Sequence, residues 1–411
     1  MNSMVKVREN KYSWLDWGIF FLLLAGYTVL MFTLFHRQTL GNTNYYHSDM
    51  KAYILEMQGL ESGYEFPYPL FFKLGALFHL FLQNPPLSIA LAVTVLNSLS
   101  PLIMKYYMNG ILCRECTAVA AKRLWLGLLI TGSVFAIFFV SMVFPPVGMY
   151  LPGIKNIYVG VFSPNPFHNA TYNATRPFAI VAFFLFGRIL AEYESKMNWK
   201  DQLLFALFLF LTTITKPSFT FILVPTAGLI MLYRIFKTKF KNFLPSVKLG
   251  CCFIPTFIPL LYQYMGVFTA SGEEEAGIGF GLAEAWKLHC NNIPLAIGLA
   301  LGFPILVLLL NYKTLKTDKW YRFSWQMMLV SLIEVLFLYE KGFRLPDMNF
   351  SWGYMHGIFF VFVSSLIVLI RRTWKGEGCK WLTAAQWLAV CWHLACGIYY
   401  FLGIFEGKLY Y

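Results

Sequence analysis

Four short stretches hold the side chains able to do chemistry. "YYHSDMKAY" carries His47 and Asp49, "HNATYNATR" carries His168 and Arg176, "TTITKPSF" carries Lys216, and "YEKGFRLPDMNFSWGYMHG" carries Glu340, Lys341, Arg344, Asp347 and His356. A carboxylate can take a proton from a hydroxyl. A guanidinium can hold a phosphate through two parallel hydrogen bonds. Arg344 is therefore a candidate phosphate clamp, with Glu340 to orient it and Lys341 beside it; the plain alternative is a solvated loop. Arg176 precedes Pro177 at the mouth of an apolar run, where an unpaired cation is costly. A phosphate partner would resolve that cost, and so would snorkelling to the surface. Lys216 follows the short apolar run 203–214, so it faces either a cavity or an ordinary loop. Metal chemistry is poorly provided for. Cys113 and Cys116 form a lone CxxC, where a metal wants four ligands. Glu273, Glu274 and Glu275 read as a solvated turn, or at most a weak divalent-ion site.

The elements that must position these residues are membrane helices. Hydrophobic residues make up 58% of the 411, and only 13% are charged, where a soluble domain carries about 25%. The net charge of +13 needs no nucleic acid, because membrane proteins collect Lys and Arg in cytoplasmic loops. No basic, aromatic-interleaved soluble stretch exists. Apolar segments recur near 17–35, 87–111, 124–144, 177–192, 203–214, 218–235, 249–267, 295–312, 322–339, 353–370 and 382–403. The sequence thus predicts an all-α fold of about 11 transmembrane helices in one domain, 1–411, with no soluble domain. The first run lacks a small-residue cleavage site and reads as a retained anchor.

The stretch 70–83 is too short to span. Fourteen residues of helix rise about 21 Å, against a hydrocarbon core of about 30 Å. With the N-terminus cytoplasmic and 70–83 not crossing, most of the 33 Lys and Arg fall inside. If 70–83 crossed, every later loop would flip, against the positive-inside rule. The first outer loop then runs over 36–86. Within it, Ser48 can cap a helix starting at Asp49. Met50, Tyr53, Ile54, Met57 and Leu60 form one apolar stripe, and Gly63 ends it. That helix should lie on the outer leaflet. Pro67 and Pro69 open a second, greasier one. The sequons at Asn169, Asn173 and Asn349 all fall outside.

A long first outer loop with two juxtamembrane helices resembles the GT-C class of membrane glycosyltransferases, which use polyprenyl-phosphate-linked sugars. The landmarks are Asp49 shortly after the first span, "FPYPLFFKLG" at the second juxtamembrane helix, and the Thr215-Lys216 pair closing a short span. They lie within the first 225 residues, roughly half the chain. The resemblance implies Asp49 as general base, with His47 tuning it or touching acceptor, and His168 contacting phosphate or acceptor. The leaving phosphate would be held by Arg176, Lys216 and the Glu340–Arg344 group. It implies a polyprenyl-phosphate sugar donor, a glycan, lipid or protein acceptor, and no obligatory cofactor, although a divalent metal is compatible. One departure stands out. Many members carry a second acid in the next outer loop, and "SPNPFHNATYNATRPF" has none.

Two rival readings remain. A transporter or flippase of lipid-linked glycans wants charged pairs near the midplane and an internal repeat, and neither is visible in the sequence. A polymerase or ligase of lipid-linked glycans would use outer-loop Arg and His in place of the Asp base. The absence of soluble domains fits a bacterial plasma membrane.

Overall fold

A computed structural model of the chain describes residues 14–64, 66–113, 120–143, 163–269 and 277–409. Lys6, Arg8, Lys11, Cys116 and the Glu273–Glu275 triplet lie outside the described residues. The described chain is all-α apart from a small ribbon. In it β1 (Ile278–Phe280) pairs antiparallel with β2 (Leu338–Glu340), Ile278 opposite Glu340.

Among the described residues seven helices are long and apolar enough to cross a membrane, which marks an integral membrane protein. They are α1 (Trp14–Thr39), α4 (Pro85–Leu112), α6 (Ala170–Glu192), α8 (Ser218–Lys237), α11 (Ile293–Asn311), α14 (Ser351–Lys375) and α15 (Lys380–Phe405). The pair α9 (Phe243–Cys251) and α10 (Ile254–Thr269), bent by 55°, would make an eighth. Three further expected spans coincide with helices that miss the mark. These are α5 (Ala120–Ile137), α7 (Trp199–Thr215) and α13 (Lys319–Phe337). α7 has only 17 residues, and Trp, Tyr, Ser and Gln dilute the apolar run of α13. Length and composition therefore carry seven or eight of the expected eleven.

α14 is the centre, wholly buried along its apolar window, with α6 83% buried beside it. Gly357 lets α13, and Gly353 lets α8, lie close against α14. A Cβ on Gly357 would run into the Ser331 hydroxyl, and one on Gly353 would sit 2.6 Å from Ile222 of α8. Small residues one turn apart are the usual means by which membrane helices approach. α11 is opened one turn ahead of Pro304. The Phe303 N–H goes to His393 Nε2 of α15 (3.1 Å), and the Leu299 carbonyl accepts from Val143 (2.9 Å). Every freed backbone group inside a bilayer needs such a substitute.

α1, α4 and α5 are stitched by polar side chains. Tyr27 accepts from Asn97 at 2.8 Å, and Thr28 donates to Ser98 at 2.9 Å. Lys105 Nζ donates to both Asp16 oxygens at 2.8 Å and to the Gly127 carbonyl at 3.0 Å, and Thr131 donates to Asp16 Oδ1 at 2.8 Å. The spans are thus not as free of charge as the sequence suggests.

The first loop departs from expectation in its caps. α2 spans Met50–Met57, with Asp49 at the N-cap position and Ser48 merely 3.4 Å from the Met50 N–H. Gly59, at φ +70°, ends the helix rather than Gly63. The Leu60 N–H reaches the Leu55 carbonyl and the Gly59 N–H that of Glu56, a Schellman closure. Leu60 is consequently exposed, off the expected stripe. α3 (Leu70–Leu82) is a short apolar helix whose Gly75 packs on Ile89 of α4 and Met57 of α2.

Candidate functional site

Asp49 stands at the start of α2 with Tyr53 one turn further, so both side chains face the same way. Tyr53 is buried, and its hydroxyl donates to Asp49 Oδ2 at 3.0 Å. The same oxygen accepts from Asn169 Nδ2 at 3.1 Å. Asp49 itself is exposed, and its Oδ1 has no hydrogen-bond partner among the described residues. One oxygen is therefore anchored and the other is presented outward.

Asn169 is the hub. It caps α6, its Oδ1 accepting from the Tyr172 N–H at 2.9 Å. That oxygen also accepts from Thr171 Oγ1 (3.0 Å) and from Lys216 Nζ (3.2 Å). Lys216 Nζ reaches Thr171 Oγ1 as well, at 3.2 Å, and lies 4.3 Å from the Trp352 ring centre. Lys216 is buried between α7 and α8. Burial pushes its ammonium down to about 8, with Asp49 pulling upward. Asn169 thus couples the carboxylate to the cation without a direct ion pair. His168 is buried, 5.9 Å from the Trp352 ring. Burial first, then the fields of His47 and Lys216, lower it to about 3, so it is neutral.

The late loop closes the rim. Glu340, on β2, accepts from Asn349 at 2.5 Å and sits 4.0 Å from Arg344. Burial raises the Glu340 carboxyl, opposed by Asn349 and Arg344. Arg344 is half-buried, and its charge acts on Tyr68, whose hydroxyl is pushed up by burial and by Asp49 and pulled down by Thr171 and Arg344. Asp347 feels the field of Asp49. Its carboxyl is raised by desolvation and by Asp49, against Arg344.

The expected residues divide into three groups. His47, Asp49, His168 and Lys216 converge, and Arg344 with Glu340 joins them at the rim. Lys341 is exposed and contributes a backbone bond to Gly277. Arg176 lies beneath the site, 1% exposed. It donates to Asn165 at 2.5 Å and is ringed by Phe138, Tyr172 and Phe359 at 5.4–5.7 Å. Its Nε and Nη2 have no partner among the described residues. It neither snorkels nor reaches the Asp49 mouth. Two sequons have a structural use: Asn169 and Asn173 are buried, and Asn173 donates to the Pro166 and Asn169 carbonyls.

Tyr53, Tyr68 and Thr171 are site residues that sequence reasoning passed over. The Asp49–Tyr53 spacing of four was the available signal, overlooked because Tyr53 fitted an apolar stripe. Among the described residues no cluster of three His, Cys, Asp or Glu has metal-binding geometry. The chain matches no known family of proteins, and no curated protein matches it either.

Proposed function

We propose that the protein is a GT-C-like membrane glycosyltransferase. It would move a sugar from a polyprenyl-phosphate donor to an acceptor hydroxyl at the membrane face that bears Asp49, with glycan, lipid or protein as acceptor. The observation that carries this reading is the bridge Asp49–Asn169–Lys216, which sets a presented carboxylate oxygen beside a buried cation. In the reaction the acceptor oxygen attacks the anomeric carbon, and Asp49 Oδ1 takes its proton. The bond from that carbon to the phosphate oxygen breaks, and the phosphate leaves as an anion towards Lys216 and Arg344. Tyr53 and Asn169 hold the base in place. Tyr68, half-buried, supplies an aromatic face suited to a sugar ring. On this reading α5, α7, α13 and the bent pair also cross, giving eleven passes, with the Asp49 face outward.

The test is Asp49→Asn in nanodiscs with lipid-linked sugars. Transfer should fall by about 10²–10⁴-fold, the usual worth of a general base, while polyprenyl-phosphate binding persists. Undiminished transfer would remove the base assignment and favour the ligase reading, in which Arg344 and His168 act without a carboxylate base.

A further inference from the structure

At the end of the bundle opposite Asp49, a cleft of about 850 Å³ opens between α8 and α13. α8 contributes Thr226, Leu229, Ile230, Tyr233, Arg234 and Lys237, all on one helical face by their spacing. α13 contributes Arg322, Gln326, Leu329 and Val330. The two helices run antiparallel, since α8 leaves the Asp49 site at Lys216 and α13 ends at β2 beside it. Their apolar halves therefore meet each other, and their cationic ends meet at the same level. Leu229 and Leu329 are 58% and 56% exposed, so the apolar half opens towards lipid.

The cationic half has a built character. Arg322 Nη1 is pinned by the Leu315 and Lys316 carbonyls at 3.3 and 3.2 Å. Arg234 is held by the Leu190 carbonyl at 2.7 Å and lies 3.5 Å from Glu194. Glu194 also accepts from Asn242 at 3.0 Å. It offsets one of the cations, leaving the charge of Lys237 and Arg322 in excess. Lys237 is exposed, its ammonium 5.5 Å from the Tyr233 ring.

We infer that this cleft binds an anionic phospholipid of the adjacent leaflet. Lys237 and Arg322 take its phosphate, and one acyl chain lies along Leu229 and Leu329. Amphipathic complementarity selects this occupant. A soluble phosphate ester would leave the apolar half unfilled, and a zwitterionic lipid would leave the excess charge unmatched. The site is independent of the proposed reaction. α8 alone separates Lys216 from Lys237 by about 30 Å at 1.5 Å per residue.

The full-length protein, delipidated in detergent, is titrated with phosphatidylglycerol, phosphatidylcholine or glycerol phosphate. Bound lipid is read by native mass spectrometry and melting temperature by fluorescence. Phosphatidylglycerol should bind at least about tenfold more tightly than phosphatidylcholine, and two surface cations account for a preference of that order. Glycerol phosphate should leave the melting temperature unchanged. Lys237→Gln with Arg322→Gln should abolish the preference, and Lys239→Gln with Lys241→Gln, outside the cleft, should preserve it. Equal binding of the two lipids overturns the inference. So does a preference that survives the first pair of substitutions, one that falls equally with the second, or a rise in melting temperature with glycerol phosphate.

Discussion

Lys216 is held where burial opposes its charge, and this gives the site a pH signature. Its ammonium titrates near 8 instead of in the usual lysine range, so the phosphate-holding form is complete well below that pH and lost above it. On the proposed reading kcat/KM, which reports groups of the free enzyme, should fall above about pH 8. Lys216→Arg should shift that falling limb beyond the accessible range. It should also lower the plateau, because a planar guanidinium does not replace a point ammonium between Asn169 and Trp352. A wild-type profile flat to about pH 10 would remove Lys216 from phosphate binding. The family resemblance drew attention to Asp49 and Lys216, but not to what joins them. Asn169 reads as a sequon, and only the α6 cap geometry turns its side chain towards both. Arg344 and Asp347 were legible as a charged loop. That the charge of Arg344 acts on Tyr68, and that of Asp49 on Asp347, was not, since it depends on how α13 and α14 set the late loop relative to the first one.

The elements around the site depend on contacts that apolar patterning does not encode. The Asp16–Lys105 pair joins α1 to α4 with side chains 2% and 0% exposed. Gly127 on α5 makes room for it: a Cβ there would lie 2.7 Å from the Asp16 carboxylate. A scan for spans sees Asp16 only as the polar edge of an apolar run. Lys105→Met should leave a buried carboxylate uncompensated and cost about 3–5 kcal/mol. Adding Asp16→Leu should recover most of that, because an apolar pair of similar size replaces a buried ion pair at little cost. Denaturation of the wild type and the two variants in mixed micelles checks this. If the double variant is no more stable than Lys105→Met, the cost lies elsewhere, in lost packing around Trp17. α11 makes the same point. Its hydropathy marks a span, yet the shift of the Phe303 N–H to His393 needs α15 and the segment around Val143 in place.

At the scale of the whole molecule, alternation ties every element to one choice of orientation. α8 runs from Ser218, two residues after Lys216, to Lys237, so the Asp49 site and the Arg234–Lys237–Arg322 cleft lie at opposite ends. Arg371 of α14 meets Asp318, the cap of α13, at 2.7 Å at the cleft end. α2, α3 and the late loop share the other. Basic loops crowd the cleft end, and the proposed orientation, with that end cytoplasmic and the transfer site outward, follows the positive-inside rule. Single cysteines in a background without the 8 native ones test this with a membrane-impermeant maleimide on intact cells. Leu60→Cys, 54% exposed on the loop after α2, should label without permeabilisation. Lys316→Cys, on the single turn α12 (Thr314–Thr317) between α11 and α13, should label only after it. The converse pattern would invert the molecule and place Asp49 against cytoplasmic donors. Labelling of both positions in intact cells would mean an odd number of failed crossings between them, and α5 and α7, the two short crossing helices in that interval, are the first to re-examine.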